Sequence, residues 1–272
     1  MAFSKDRGEA LGLGLNHPIL MRVFAILVQD ARTGLYHAVR SQGEIADADI
    51  RHTRLAAVLS ELVEGDNLYE IVSRNKPVPG IEMGPECAIR VAINIVEALI
   101  FLHGQGIAYR DLKPENIVFD KATLAVKLVD YGGLRKLDTK AEQSGYYGTQ
   151  IYMPPEMILE QQGKKHPPIG FEVDSWELGM LIMTLSTGVN PGDYRQDGHR
   201  DKSRDPQTVK DRLIAYASMD VIEKEDFLDK VMGAGSLPLK SLIIGLTEFE
   251  PGNRMTLLDA REQLRQMNKE YD

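Results

Sequence analysis

From Gly84 to His103 apolar residues recur on nearly every side of a helical wheel: Ala88, Val91, Ile93, Ile95, Val96, Leu99, Ile100 and Leu102. A helix patterned this way is buried on most faces, and Gly104 and Gly106 mark its end. Further helices are predicted near 174–187, 219–233, 237–248 and 256–268, with a short one over Asn67–Arg74 and a loop holding Pro77, Pro79 and Gly80. Residues 16–28 read as a turn followed by a strand. Residues 55–63 read as the next strand, which Glu64-Gly65-Asp66-Asn67 breaks with turn chemistry. The span 29–54 between them is long for a hairpin connection and reads as an insertion, with a short strand at Leu35–Arg40. Two more short strands are predicted at Ile117–Phe119 and Val126–Leu128, and the polar run Asp193–Thr208 reads as a mobile surface loop.

With 272 residues, 43% hydrophobic and 26% charged, the chain has the make-up of an ordinary globular protein, as one large domain or two small ones. A formal net charge of −8 gives no support to general binding of nucleic acid or of anionic membranes. Cys87 is the only cysteine, which excludes an intramolecular disulfide and suits a reducing, cytoplasmic setting. No signal-peptide pattern opens the sequence. The most apolar stretches, Val91–Leu102 and Trp176–Leu185, fall short of the roughly 20 residues a membrane-spanning helix needs.

The segment Ile107–Asp120 carries the chemistry. It sets an acid, a lysine and an amide at close offsets (Asp111, Lys113, Asn116), and Asp130 follows in Val129-Asp-Tyr-Gly132. Moving a phosphoryl group asks for positioning, neutralisation of phosphate charge and a group to orient the acceptor oxygen. Asp111 can take the acceptor proton, Lys113 can hold the moving group, and Asn116 and Asp130 offer the oxygen ligands that Mg2+ demands. Taken singly, Asp111 and Asp130 could serve as turn or cap residues, and Asn116 could tie the loop to Asp111.

Tyr109-Arg110-Asp111 with Asn116, Asp130-Tyr131-Gly132, Gly148-Thr149 with Met153-Pro154-Pro155-Glu156, Asp174-Ser-Trp-Glu-Leu-Gly179 and Asn253-Arg254 occur in this order. Together they resemble the motif series of the eukaryotic-type protein kinases. Tyr109, Tyr131 and Pro154 stand where that family usually has His, Phe and Ala. The resemblance implies an α+β, two-lobe kinase-like fold. Residues 1–63 would form a partial small lobe (the end of its helix, two strands and the 29–54 insertion), 64–67 the hinge and 68–272 the helical lobe. It implies ATP and Mg2+ as cofactors and a protein substrate phosphorylated on Ser or Thr, the preference that goes with Lys113. ATP would meet Glu61, Val63, Asn67, Val118 and Lys113, with Ser60 as gatekeeper. Arg110 would contact a phosphate carried by Thr139, Ser144, Tyr146 or Tyr147. Tyr109 and Tyr131 would stack between the lobes, and Thr149 would bond near Asp111 and Lys113. Glu156 and Arg254 would form a buried ion pair, and Asp174 would accept N–H groups from the catalytic loop.

The resemblance weakens at the start of the chain. Gly12-Leu-Gly14 lies too close to His17-Pro18 to be the glycine-rich phosphate loop, and no strand lysine stands out. Counting back from His17 puts the helix glutamate position on Gly8, beside Glu9, so that Met1 would begin inside that helix. A second alignment sets Arg40, in Thr33–Arg40, in the lysine's place, although Arg is no equal substitute for an ammonium. The alternative function is therefore a pseudokinase that binds nucleotide weakly or not at all. A small-molecule kinase fits less well, because Gly148-Thr149 and Pro155-Glu156 resemble a protein-substrate platform.

Overall fold

The computed structural model describes residues 8–47, 53–73, 84–120, 125–137, 148–188, 191–201, 205–233 and 237–269. Thr139, Ser144, Tyr146 and Tyr147 lie outside the described residues, as do Met1, Pro77, Pro79 and Gly80.

A helical turn over 8–11 (α1) leads into Leu13 and Leu20, both buried. Three antiparallel strands follow: β1 (Val23–Asp30), β2 (Tyr36–Val39) and β3 (Thr53–Ser60), in the order β2-β1-β3. A register shift between Val23 and Ala25 breaks the alternation of β1, so that Val23, Ile26 and Val28 are all buried while Phe24 is exposed. The expected insertion thus builds the edge strand β2 and a short helix α2 (Gln42–Asp47). Gln42 Nε2 donates to the carbonyl oxygens of Ala10 at 2.7 Å and Leu13 at 3.1 Å, so the insertion satisfies groups at the end of α1. Arg40, the residue after β2, is exposed, and its N–H donates to Glu44 Oε2 at 2.9 Å.

The sheet is spliced to the rest by main-chain bonds. Leu128 N donates to Ile19 O at 2.7 Å and Met21 N donates to Leu128 O at 3.0 Å. Beyond β3 come β4 (Asp66–Asn67), α3 (Leu68–Ser73) and α4 (Pro85–Gly104). Then follow β5 (Ile107–Ala108), β6 (Ile117–Asp120), β7 (Ala125–Leu128) and β8 (Arg135–Lys136). Strands β4, β6 and β7 form a second small sheet, and β5 pairs with β8.

The body is helical: α5 (Pro155–Gln161), α6 (Glu172–Thr187), α7 (Pro206–Ala217), α8 (Val221–Met232), α9 (Leu237–Leu246) and α10 (Leu257–Asn268). At 20 residues, α4 extends beyond the apolar stretch Val91–Leu102, which Asn94 and Glu97 interrupt, and is by length and composition alone long and apolar enough to cross a membrane. Its surroundings are those of a core helix. It packs on α6 and α10, and Glu97 pairs with Arg265 of α10 at 2.6 Å. Every residue of α6 from Val173 to Leu185 is buried, which makes this helix the axis of the body.

The polar run 193–208 is largely exposed over its described residues, and its end is the start of a helix that the sequence reading did not include. Asp193 is buried, Asp201 pairs with Arg195 at 3.0 Å and Arg212 at 2.6 Å, and α7 begins at Pro206. Alternating charges in this run pair with one another, and Asp205 caps the new helix by accepting from Thr208 N at 2.8 Å.

Candidate active site

The loop after β5 is hung from the start of α6. Asp174, fully buried, accepts from Tyr109 N and Arg110 N, each at 2.8 Å, and meets His103 Nε2 at 2.7 Å. Arg110 takes the left-handed conformation (φ 66°), which costs energy for a side chain with a Cβ and persists where surrounding bonds fix it. The side chain of Asp111 is thereby turned into a polar cluster. Lys113 Nζ donates to Asp111 Oδ2 at 3.0 Å and to Thr149 Oγ1 at 2.6 Å, and that hydroxyl donates to Asp111 Oδ1 at 2.9 Å. Asn116 Nδ2 donates to Asp111 O at 2.9 Å and Oδ2 at 3.0 Å.

Asp130 reaches the same place from β7. Val129 N donates to Asn116 O at 2.8 Å, which joins the two segments one residue before Asp130. Asp130 is also left-handed (φ 62°), and its Oδ1 accepts from Gly132 N at 3.0 Å. The Tyr109 hydroxyl donates to Val129 O at 2.6 Å and Asp130 O at 3.1 Å. Burial, with Asp111 and Asp130 nearby, pushes this phenol well above its ordinary pKa, so it stays a donor. The Tyr131 hydroxyl donates to Met21 O at 2.5 Å across the splice. The Asn116 amide nitrogen is spent on Asp111, which leaves its Oδ1 as an acceptor, and Asp130 keeps Oδ2. Two hard oxygen donors fit a Mg2+ that takes its remaining ligands from phosphate and water. Among the described residues no group of three or more His, Cys, Asp or Glu could hold a metal by itself.

The protein kinase domain model matches residues 36–266. The chain belongs to the protein kinase family. It is 28% identical over 199 residues to human death-associated protein kinase 2, covering 71% of this chain and 48% of that one. It is 36% identical over 163 residues to the mouse liver/testis phosphorylase b kinase gamma catalytic chain, covering 60% and 36%. It is 43% identical over 138 residues to rat cGMP-dependent protein kinase 2, covering 50% and 15%. The matched part is under half the length of each of these curated relatives.

The residues expected to meet a nucleotide base, Glu61 and Asn67, are bonded within the protein. The Glu61 carboxylate pairs with Lys127 Nζ at 2.7 Å and accepts from Arg22 N at 2.8 Å. Burial raises its pKa, but Lys127 and the Arg22 N–H outweigh that and hold it below the usual carboxylate value. Asn67 Oδ1 accepts from Glu70 N at 2.9 Å and so caps α3, while its backbone pairs with Val118. Val63 and Val118 are half-buried. Gly65 (φ 144°) is required between them, because a Cβ there would overlap Phe119 O.

Gly12 packs on the Tyr131 ring, so Gly12-Leu-Gly14 is structural. A Cβ on Gly8 would overlap the carbonyl oxygens of Tyr131 and Gly132. Below the cleft, Arg254 forks onto Glu156 (Nη1–Oε1 2.8 Å, Nη2–Oε2 2.7 Å) and lies 5.3 Å over the Trp176 ring, with both charges buried. Three residues of the site escaped sequence reading: His103, Lys127 and Glu177. Of these Glu177 carried a signal, as an acid set among Val173, Trp176, Leu178, Met180 and Leu181.

Proposed function

We propose that this kinase transfers the γ-phosphoryl group of ATP, with Mg2+, to a serine or threonine hydroxyl of a protein substrate. The observation that carries the reading is the closed set of bonds joining Asp111, Lys113, Thr149 and Asn116. Asp111 orients the incoming hydroxyl and accepts its proton. Lys113 lies between Asp111 and Thr149, where an ammonium can neutralise the phosphoryl group in flight. Asn116 and Asp130 hold the metal, which when bound offsets phosphate charge. Lys113 in this place, two residues after Asp111, supports the Ser/Thr preference. In this reading residues 1–63 are a partial small lobe, 64–67 the hinge and 68–272 the large lobe, and the buried thiol of Cys87 suits a reducing cytoplasm. The test is Asp111→Asn assayed for transfer of labelled phosphate from ATP: transfer should vanish while the melting curve stays put. Equal rates in the two proteins would refute the reading.

A second reading, the pseudokinase, is favoured by Gly8. Its position is the one from which a helix carboxylate would reach a strand lysine, and the Tyr131–Gly132 backbone leaves it no room for a side chain. A thermal titration with Mg·ATP separates the two, since a ligand bound only by the folded state must raise the melting temperature. A rise favours the kinase that uses ATP, and a flat titration favours the pseudokinase.

A further inference from the structure

Both residues that flank Asp111 hang from one helix. Arg110 N donates to Asp174 Oδ1 at 2.8 Å, and Leu112 N donates to Glu177 Oε2 at 2.7 Å. Asp174 and Glu177 stand three apart on α6 and therefore share a face. Glu177 is 1% exposed and Arg110 0%. The other carboxylate oxygen looks toward the segment that brings in Thr149. A Cβ on Gly148 would lie 3.7 Å from Glu177 Oε1 and 2.8 Å from Arg110 O, so the chain passes here only as glycine, at φ 121°.

We propose that Glu177 is a positioning residue for phosphoryl transfer, which fixes the far side of Asp111 through the Leu112 N–H as Asp174 fixes the near side. The inference rests on the kinase reading of Asp111. The Asp174 bonds pin the main chain just before Asp111; after it, the Leu112–Glu177 bond adds a tie to the same helix, beside the bond from Asn116 Nδ2 to Asp111 O within the loop. With both, the backbone on either side of Asp111 is tied to the most buried helix of the protein. Burial, with Asp174 and Asp111 nearby, pushes the Glu177 carboxyl well above its usual range, while the Leu112 N–H and Arg110 work against that rise. An acceptor oxygen is present in either protonation state, so the tie to Leu112 does not depend on the charge.

The experiment compares Glu177→Gln, which keeps an acceptor oxygen, with Glu177→Leu, which has none. The readouts are kcat and KM for ATP and, independently of turnover, amide hydrogen exchange in the 109–116 segment. The expected result for Glu177→Leu is faster exchange in that segment and a kcat lowered roughly tenfold or more, with KM for ATP little changed. Glu177→Gln should retain the protection and most of the rate. Wild-type protection and kcat in Glu177→Leu would overturn the proposal, and so would loss of protection in Glu177→Gln. If the wild-type protein transfers no phosphate, the kinase reading falls, and the exchange comparison decides the role of Glu177 by the same two outcomes. If Glu177→Leu gives no cooperative melt, Glu177→Ala takes its place under the same criteria.

Discussion

The Tyr109 hydroxyl reaches across to the main chain at Asp130, donating to Val129 O at 2.6 Å and to Asp130 O at 3.1 Å. It holds the Asp130 main chain to the loop that bears Asp111. Tyr109→Phe keeps the ring and deletes this donor, leaving buried carbonyl oxygens short of a partner. The expected cost is about 1–2 kcal/mol in a urea unfolding titration, with a lowered kcat and a weaker response to Mg2+ in the transfer assay.

Glu156 and Arg254 should behave as a buried pair whose two halves are worth little apart. Arg254→Met leaves a carboxylate stranded and should cost about 3–5 kcal/mol in denaturant unfolding. Arg254→Met combined with Glu156→Gln should recover part of that loss, because no lone charge stays buried.

Gly8 meets the Tyr131–Gly132 backbone so closely that even one methyl group is too much. Gly8→Ala should lower stability by about 1–3 kcal/mol, the usual range for overpacking, in a thermal melt. Gly8→Glu should therefore not restore nucleotide affinity, as a titration with Mg·ATP would reveal.

His17 stacks on Phe101, ring centroids 5.1 Å apart, and its Nδ1 accepts from Ile19 N at 3.3 Å. Burial lowers its pKa below 6.5 despite the pull of Glu97, and Lys127 adds to the lowering. The unfolded chain then binds a proton before the folded one does. Stability from this group is complete above 6.5 and falls as the pH drops from there toward the folded pKa. Melting temperatures across about pH 5 to 8 should show this slope in the parent protein and a shallower one in His17→Phe.

The spacing of Asp111, Lys113 and Asn116 could be read from sequence because those residues meet through local loop geometry. Helix α4 and strands β1 and β3 were legible through their apolar periods. What stayed hidden depends on partners far along the chain. Glu61 looked free to serve a nucleotide until Lys127, 66 positions away, came to face it. Asn67 looked like a ligand because a helix cap and a binding residue share the same chemistry. The start of α7 was announced by Asp205-Pro206-Gln207-Thr208, a cap followed by a proline, but the charged run before it read as solvent-loving chain.

The bonds between Leu128 and the Ile19–Met21 segment give the small sheet a mechanical part in the chemistry. Leu128 closes β7 two residues before Asp130, so the segment that leads into β1 and the approach to Asp130 share one main-chain joint. Peptide groups carry the seam, and the Tyr131 hydroxyl on Met21 O and the Lys127 ammonium on Glu61 rivet it from either side.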